Sequence, residues 1–90
     1  MKYSIEFTPG FKKDFKLAQK QNRDIPAVIN IICRLAEGER LDTQFKDHKL
    51  QGSYKNYREC HIKPDLLLIY KIERETLYLV RLGSHSELFK

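Results

Sequence analysis

Three histidines, all in the second half of the chain, are the residues best suited to chemistry near neutral pH. They are His48, His61 and His85. Histidine can take up or release a proton under physiological conditions, so one ring can act as a base and another as an acid. Cleavage of RNA needs that pair of groups, one at a 2′-hydroxyl and one at the leaving oxygen, and a cation over the phosphate.

Each histidine has a polar neighbour close by in the sequence. The pairs are Asp47 with His48 in KDHKLQG, His61 with Asp65 in HIKPD, and Arg81 with His85 in RLGSHSELF. A carboxylate can hold an imidazole ring in one tautomer, and a guanidinium can stabilise negative charge on a phosphate. The formal net charge of the chain is +5, which favours an anionic partner such as RNA.

Basic and aromatic residues are interleaved between positions 45 and 63. Five bases stand there against two acids, and Tyr54 and Tyr57 lie among them. Such a segment suits phosphate contact combined with base stacking, although a solvated surface with two core tyrosines would show the same pattern. We therefore expect RNA-binding roles for the five bases, which are Lys46, Lys49, Lys55, Arg58 and Lys63.

Length and composition favour one small domain over residues 1–90, with 41% hydrophobic residues as material for one core. No apolar run approaches the roughly 20 residues of a membrane span, and MKYSIEFTPGF lacks the apolar stretch of a signal peptide. We therefore expect a cytoplasmic protein that does not enter membranes. Cys33 and Cys60 form no CxxC pair, and both are predicted to be reduced and buried.

Hydrophobic periodicity predicts one strand and then two helices in the first part of the chain. Residues 2–7 alternate as a strand does. Thr8 and Asp24 are typical helix N-caps, and a proline in the first turn follows each of them. The two helices should pair as an antiparallel hairpin and face the core. The apolar stripe expected for the second helix is Val28, Ile29, Ile32, Leu35 and Ala36.

A loop over residues 39–54 and three strands complete the predicted layout. The strands cover residues 57–62, 66–72 and 77–82, and a tail, HSELFK, follows them. The order β-α-α-β-β-β predicts an α+β domain, in which two N-terminal helices pack on a small, mainly antiparallel sheet. The other face of the sheet would be left open for a site.

Antiparallel pairing of the last three strands predicts which polar residues meet. The turn after the 57–62 strand and the end of the 77–82 strand should lie at the same edge. That edge would collect four of the candidate residues, and His48, on the loop, is not placed by this argument. The four residues are His61, Asp65, Arg81 and His85.

Other site chemistries fit the sequence less well. Three histidines and an aspartate could bind Zn²⁺, but their spacings match no common zinc motif, and the surrounding bases disfavour a cation. The serines lack a nucleophile elbow, and no glycine loop for phosphate is present. We expect no metal and no other cofactor.

One combination of motifs resembles a known family. The stretch KDHKLQGSYKNYRECHIKPDLLLIYKI, with RLGSHSELF after it, resembles the YafQ-type toxins of the RelE superfamily, and FKKDFKLAQKQNRDI is similar to the first helix of that family. The specific signal is the joint presence of H-x-L-x-G, R-E-x-H-I-x-P-D, L-I-Y and R-x-G-x-H-x-x-L-F. The resemblance covers nearly the whole chain.

The resemblance implies the toxin of a bacterial type II toxin–antitoxin pair, on a compact, RelE-like microbial RNase fold. Such toxins are ribosome-dependent endoribonucleases that cut mRNA in the ribosomal A site and so inhibit translation. The implied partners are a cognate antitoxin, mRNA and the ribosome with its 16S rRNA, and DNA is reached only through the antitoxin complex. We expect the antitoxin to be acidic and to fold on the toxin surface.

The resemblance also implies roles for six positions of this sequence. His85 is expected as the general acid, and either His48 or His61 as the general base. Arg81 is expected to stabilise charge on the phosphate. The supporting residues are Asp65, expected to orient a histidine, and Phe89, expected to pack on a nucleobase or to buttress His85. A tryptophan that some relatives carry after the aspartate is Leu66 here, which argues against stacking at that position.

Two alternatives within the superfamily remain open from the sequence. A ParE-type toxin would share the fold and act on DNA gyrase without needing three histidines or the spacing of Arg81 and His85. A degenerate toxin would act only with its antitoxin, as a repressor complex. The intact polar set argues against both.

Overall fold

The structure is a computed structural model and describes residues 1–89. The strands and helices in chain order are β1 (Ser4–Phe7), α1 (Pro9–Lys20), α2 (Ile25–Ala36), β2 (His48–Lys49), β3 (Arg58–Lys63), β4 (Leu66–Glu73), β5 (Thr76–Gly83) and α3 (His85–Leu88). The five strands form one sheet in the order β1-β5-β4-β3-β2. β1 runs parallel to β5, and the other neighbours are antiparallel. The predicted α+β class and the mainly antiparallel sheet are confirmed.

Side-chain caps begin the first two helices, as predicted. Thr8 accepts a hydrogen bond from the backbone N–H of Phe11 at 3.0 Å, and Asp24 accepts one from Ala27 at 3.1 Å. The two helices pack on one face of the sheet, and their buried residues share a core with Cys60, Leu68 and other inward side chains of the strands. This face is called the helix side below.

Two details of the predicted core are wrong. Ile29 is 49% exposed, whereas Ile31 is buried. The stripe facing the sheet follows positions 28, 31, 32, 35 and 36, and residue 29 lies beside it because each helical residue turns the side chain by about 100°. Cys33 is also exposed, and only Cys60 of the two free thiols is buried, where burial raises its thiol pKa far above the ordinary value.

Exposure of Ile29 leaves an open groove between the helices and β1. Its volume is about 510 Å³. Phe7 at 46% exposure and Ile29 are its most exposed apolar residues, and two lysines of α1 stand at its rim. This apolar groove is lined by Phe7, Phe11, Lys12, Phe15, Lys16, Ile29 and Ile32.

The predicted loop over residues 39–54 contains a short strand that periodicity missed. β2 has two residues and pairs antiparallel with β3, with His48 opposite Glu59 and Lys49 opposite Arg58. Two residues are too few to show an alternating pattern, so only tertiary pairing defines this strand. The pairing brings His48 onto the sheet.

The tail after Gly83 folds into a short helix. Ser84 and Glu87 form a reciprocal capping box, in which each side chain accepts a hydrogen bond from the backbone N–H of the other residue. Glu87 also accepts from Gln21 at 3.1 Å, which ties α3 to the turn between α1 and α2. These hydrogen bonds, led by the one from Ser84, lower the pKa of the Glu87 carboxyl.

Substitution of Glu87 by glutamine tests this anchor through its pH dependence. A lowered carboxyl pKa stabilises the folded state at neutral pH, and the stabilisation is lost as the pH falls through the folded-state pKa. We expect Glu87→Gln to be less stable than wild type at pH 7 by about 1 kcal/mol or less, because the side chain is partly solvated. The difference should shrink between about pH 5 and pH 3 in denaturant titrations. A constant difference, or the same trend in Glu39→Gln, would contradict the assignment.

Candidate active site

The three candidate histidines lie on the face of the sheet opposite the two long helices. A second apolar cluster covers the middle of this face and is built on Leu67 and Ile69 of β4 and Leu88 of α3. Successive strand residues point to opposite faces, so the odd-numbered residues of this part of β4 face away from the helix side. This face is called the site side below.

Two histidines share one buried carboxylate on the site side. Oε1 of Glu59 lies 3.4 Å from Nε2 of His48 and 3.3 Å from Nε2 of His61. The two imidazole rings are 6.2 Å apart between centroids. Glu59 is 5% exposed, and a buried carboxylate requires such partners. The arrangement makes His48, Glu59 and His61 one cluster of close polar contacts.

One ring nitrogen of His48 contacts the backbone. Its Nδ1 lies 2.6 Å from the carbonyl oxygen of Lys46. A carbonyl only accepts, so Nδ1 is the ring nitrogen that carries a proton in this contact. Lys46 reaches this position with a positive φ of 49°. None of the hydrogen bonds found among residues 1–89 uses Nδ1 of His61.

Asp47 anchors the segment that carries His48. Its Oδ1 accepts hydrogen bonds from the Tyr70 hydroxyl at 2.6 Å and from Nε of Arg58 at 3.2 Å. Tyr70 is buried in β4, where burial and the contact with Asp47 raise its pKa well above the ordinary value. A carboxylate bound to a fixed phenol holds the preceding loop against the sheet. His48 therefore occupies a defined place although its own strand is short.

His85 lies at the other edge of the site side, with Asp65 and Phe89. Oδ1 of Asp65 is 3.5 Å from the backbone nitrogen of His85, so this carboxylate contacts the start of α3 and not an imidazole ring. The rings of His85 and Phe89 are 5.0 Å apart, and Phe89 in turn packs edge-on against Tyr54 at 5.7 Å. Phe89 thus buttresses His85 between two aromatic contacts.

Arg81 is held by a residue of α1. Its Nε and Nη2 donate to the two carboxylate oxygens of Asp14 at 2.6 and 3.2 Å. Arg81 lies opposite Ile69 on β4, and Ile69 lies opposite Glu59 on β3. The strand register therefore separates the Arg81 backbone from Glu59 by two strand spacings, or about 10 Å.

The five bases predicted to bind RNA divide between two shallow clefts. Lys46 and Lys63 line a cleft of about 370 Å³ beside His61, and Lys63 also pairs with Asp24 at 3.3 Å. A second cleft of about 290 Å³ lies near the ends of β2, β3 and β4 and includes Lys71. The other three predicted bases line it: Lys49, Lys55 and Arg58. Arg58 donates to Asp47, which leaves the exposed lysines as the more accessible cations.

Sequence patterns missed two residues of the site, and each left a signal. Glu59 alternates with His61 along β3, so the two share a face. Asp14 falls at helical spacing between Phe11 and Ala18, both buried on the inner face of α1. A charged residue in such a stripe indicates a specific partner. Leu66 is 1% exposed on the helix side, so it is not available for stacking on a base.

Comparison with known proteins gives the family. A family model described as a bacterial toxin of type II toxin–antitoxin systems, YafQ, matches residues 3–90. The chain belongs to the YafQ family. The mRNA interferase toxin YafQ of Escherichia coli K12 is 41% identical over 86 residues, which cover 94% of each chain. The family assignment from the sequence motifs is confirmed.

Solved structures of two bacterial toxins share the fold over nearly all of both chains. The toxin in the crystal structure of the E. coli DinJ–YafQ complex is 39% identical and superimposes with a TM-score of 0.91, covering 98% of this chain and 99% of its own. A metal-bound toxin from Helicobacter pylori is 47% identical, with a TM-score of 0.90 over 97% of this chain and 99% of its own. The predicted RelE-like arrangement is confirmed.

Among residues 1–89, no group of three or more histidine, cysteine, aspartate or glutamate side chains is arranged to hold a metal ion. The expectation that this YafQ-family toxin uses no metal stays a prediction. In the same part of the chain, none of the helices combines the length and apolarity needed to cross a bilayer.

Substitution of Glu59 by glutamine tests the shared carboxylate. Glutamine keeps the volume but loses the charge that two imidazole rings contact, so we expect mRNA cleavage on ribosomes to fall roughly 100-fold. Thermal stability should change little, since the amide can still bond one ring. Glu75→Gln, in an exposed turn, is the matched control. Cleavage at the wild-type rate by Glu59→Gln would show that the carboxylate is dispensable.

Proposed function

We propose that this YafQ-family chain is a ribosome-dependent endoribonuclease that cuts mRNA in the A site and thereby inhibits translation. The observation that carries the proposal is the placement of two histidine groups on one open face of the sheet. One group is the unit around Glu59, and the other is His85 with Asp65 and Phe89. The E. coli relative, an mRNA interferase toxin, supports the same class of activity.

The proposed reaction needs only proton transfer and in-line displacement. A neutral imidazole takes the proton of the 2′-hydroxyl, and the 2′-oxygen forms a bond to the adjacent phosphorus. The bond from phosphorus to the 5′-oxygen breaks, and that oxygen takes a proton from His85. The products are a 2′,3′-cyclic phosphate and a 5′-hydroxyl. Arg81 donates hydrogen bonds to the phosphate oxygens as their negative charge increases.

The free nitrogen of His61 favours it over His48 as the general base. Both ring nitrogens of His48 are engaged, by Lys46 and by Glu59. His61 contacts Glu59 through Nε2 and lines the cleft beside Lys46 and Lys63. When Nε2 donates to Glu59, Nδ1 carries the lone pair that can accept the 2′-hydroxyl proton. In this proposal His48 acts indirectly, by holding the Glu59 carboxylate in position.

The proposed partners are the ribosome, mRNA and a cognate antitoxin, all reached in the cytoplasm. The exposed lysines of the two clefts are suited to the phosphates of mRNA and 16S rRNA. The E. coli relative forms a complex with DinJ, which supports a protein antitoxin for this chain. The apolar groove suits an acidic antitoxin segment with large apolar side chains, because Lys12 and Lys16 stand at its rim and none of its lining residues is acidic.

Cleavage products test the reaction and the acid together. Wild-type toxin added to ribosomes programmed with a defined mRNA should give fragments with 5′-hydroxyl and 2′,3′-cyclic phosphate ends. His85→Ala should cut roughly 100-fold more slowly or worse, because no imidazolium protonates the 5′-oxygen. Ser86→Ala, its exposed neighbour, is the control. Toxin treated with a chelator and desalted before mixing should retain its rate. Fragments with 3′-hydroxyl ends would rule out this mechanism.

Charge placed in the apolar groove tests the antitoxin surface. Ile29→Glu should weaken binding of E. coli DinJ by about 2 kcal/mol in titration calorimetry, since a buried carboxylate would face an acidic partner. Ile72→Glu places the same charge on another exposed apolar residue, at the end of β4, and should bind as the wild type does. Equal loss in both variants, or in neither, would place the antitoxin elsewhere.

A further inference from the structure

The contact between α1 and Arg81 is more specific than packing requires. Asp14 uses both carboxylate oxygens on Arg81, and Oδ2 also accepts the backbone N–H of Leu82 at 2.9 Å. Asp14 is 9% exposed, and both of its carboxylate oxygens accept hydrogen bonds from residues of β5. A bidentate pair fixes the plane of a guanidinium as well as its position.

The fold leaves an opening in which this contact can form. β1 pairs with β5 only as far as Phe7 opposite Leu79. Beyond that point the first turn of α1 lies along β5, where the Thr8 hydroxyl donates to the carbonyl of Val80 at 2.8 Å. Asp14 then accepts the N–H of Leu82 where no β1 residue is paired. The helix thus replaces a strand neighbour at the part of β5 that carries Arg81.

Gly10 allows the side chain of Arg81 to lie against α1. A Cβ at position 10 would come within 3.1 Å of Cδ of Arg81 and 3.5 Å of the Val80 carbonyl oxygen. The stem of the arginine therefore passes close over the first turn of the helix before its head meets Asp14. Both ends of the side chain are constrained by α1, so the direction of the guanidinium is set by the helix.

The pair leaves part of the guanidinium available. An arginine head has five N–H groups, and Asp14 takes one from Nε and one from Nη2. Three N–H groups remain, including the edge formed by Nη1 and Nη2, which can make a second bidentate contact with two phosphate oxygens. Because Asp14 cancels much of the charge of Arg81, the contribution of Arg81 depends on directed hydrogen bonds more than on net charge.

We propose that Asp14 is a positioning residue that directs the Nη1–Nη2 edge of Arg81 toward the scissile phosphate. The inference rests on the proposed endoribonuclease function. It gives α1 a part in the chemistry beyond its place in the core, and no substrate contact is assigned to Asp14 itself. If Asp14 were purely structural, its substitution would change the cleavage rate by the same factor whether or not Arg81 is present.

A double-mutant cycle separates the two roles. Single-turnover cleavage of a ribosome-bound mRNA is measured for wild type, Asp14→Asn, Arg81→Ala and the double variant. Asp14→Asn should lower the maximal rate roughly 10- to 100-fold, as misplacement of a catalytic group does, with little change in the toxin concentration needed for half-maximal rate. In the Arg81→Ala background the same change should cost less than about threefold. An equal fold-reduction in the maximal rate in the wild-type and Arg81→Ala backgrounds would overturn the proposal.

Three further variants distinguish a loss of positioning from a loss of folding. Asp14→Glu keeps the charge and should recover part of the rate lost in Asp14→Asn. Gly10→Ala should lower the rate without touching the carboxylate, because it displaces the arginine stem. Asp42→Asn, on an exposed residue, is the matched control and should behave as wild type. A rate that follows only the melting temperature across this set would show that Asp14 is structural.

A readout that does not depend on activity separates this inference from the proposed function. In ¹⁵N NMR spectra the Nε–H of Arg81 should be protected from exchange with water in the wild type and should exchange at least about tenfold faster in Asp14→Asn. Unchanged exchange would overturn the positioning role even if the toxin cleaves mRNA. Protection in a wild type that cleaves no mRNA, together with faster exchange in Asp14→Asn, would leave the orientation of Arg81 correct and the endoribonuclease proposal wrong.

Discussion

β4 is the constraint on which the rest of the molecule depends, because it is buried on both faces. Leu66, Leu68 and Tyr70 point to the helix side, whereas Leu67 and Ile69 point to the site side. Strands covered on both faces need continuous apolar sequence, and LLLIY supplies it. The two histidine groups flank this strand, one reached through β3 and the other through β5. The floor of the site is therefore part of the core, and the site keeps its dimensions only while β4 stays packed.

Acidic residues have a particular place in this basic chain. Asp14 and Glu59 are the buried carboxylates among residues 1–89, and each contacts cationic or protonatable side chains of the site. Burial of an unpaired carboxylate is costly in free energy. Each carboxylate and its partners therefore hold one another in place. Asp47 works in the same way at the loop, through Tyr70 and Arg58. The candidate active site is thus held together by carboxylates that contact its basic and protonatable side chains.

Short elements carry the histidines on rigid supports. β2 has two residues and α3 has four, lengths at which neither would form alone. Pairing with β3 stabilises the first, and the capping box with the Gln21 contact stabilises the second. Gly83 allows α3 to fold back, since a Cβ there would come within 2.9 Å of the Glu87 carboxylate. Tertiary contacts therefore give precise positions to segments with little structure of their own.

The sequence by itself determined the caps of α1 and α2, the three long strands of the meander, the α+β class and the family. These features depend on local propensity and on periodicity, which a single chain displays directly. The meander also predicted that Asp65 and His85 would lie together, and the structure places them within contact.

Only the tertiary structure decided how the side chains are shared. In the folded chain His48 and His61 both contact Glu59, and Arg81 pairs with Asp14. Ile29 is exposed in a groove. Each of these contacts joins residues from different elements, and the angle at which two elements pack is not encoded in the period of either one. The three histidines could be found by reading the chain, whereas the carboxylates that hold the site together became visible only when the helices and the sheet were assembled.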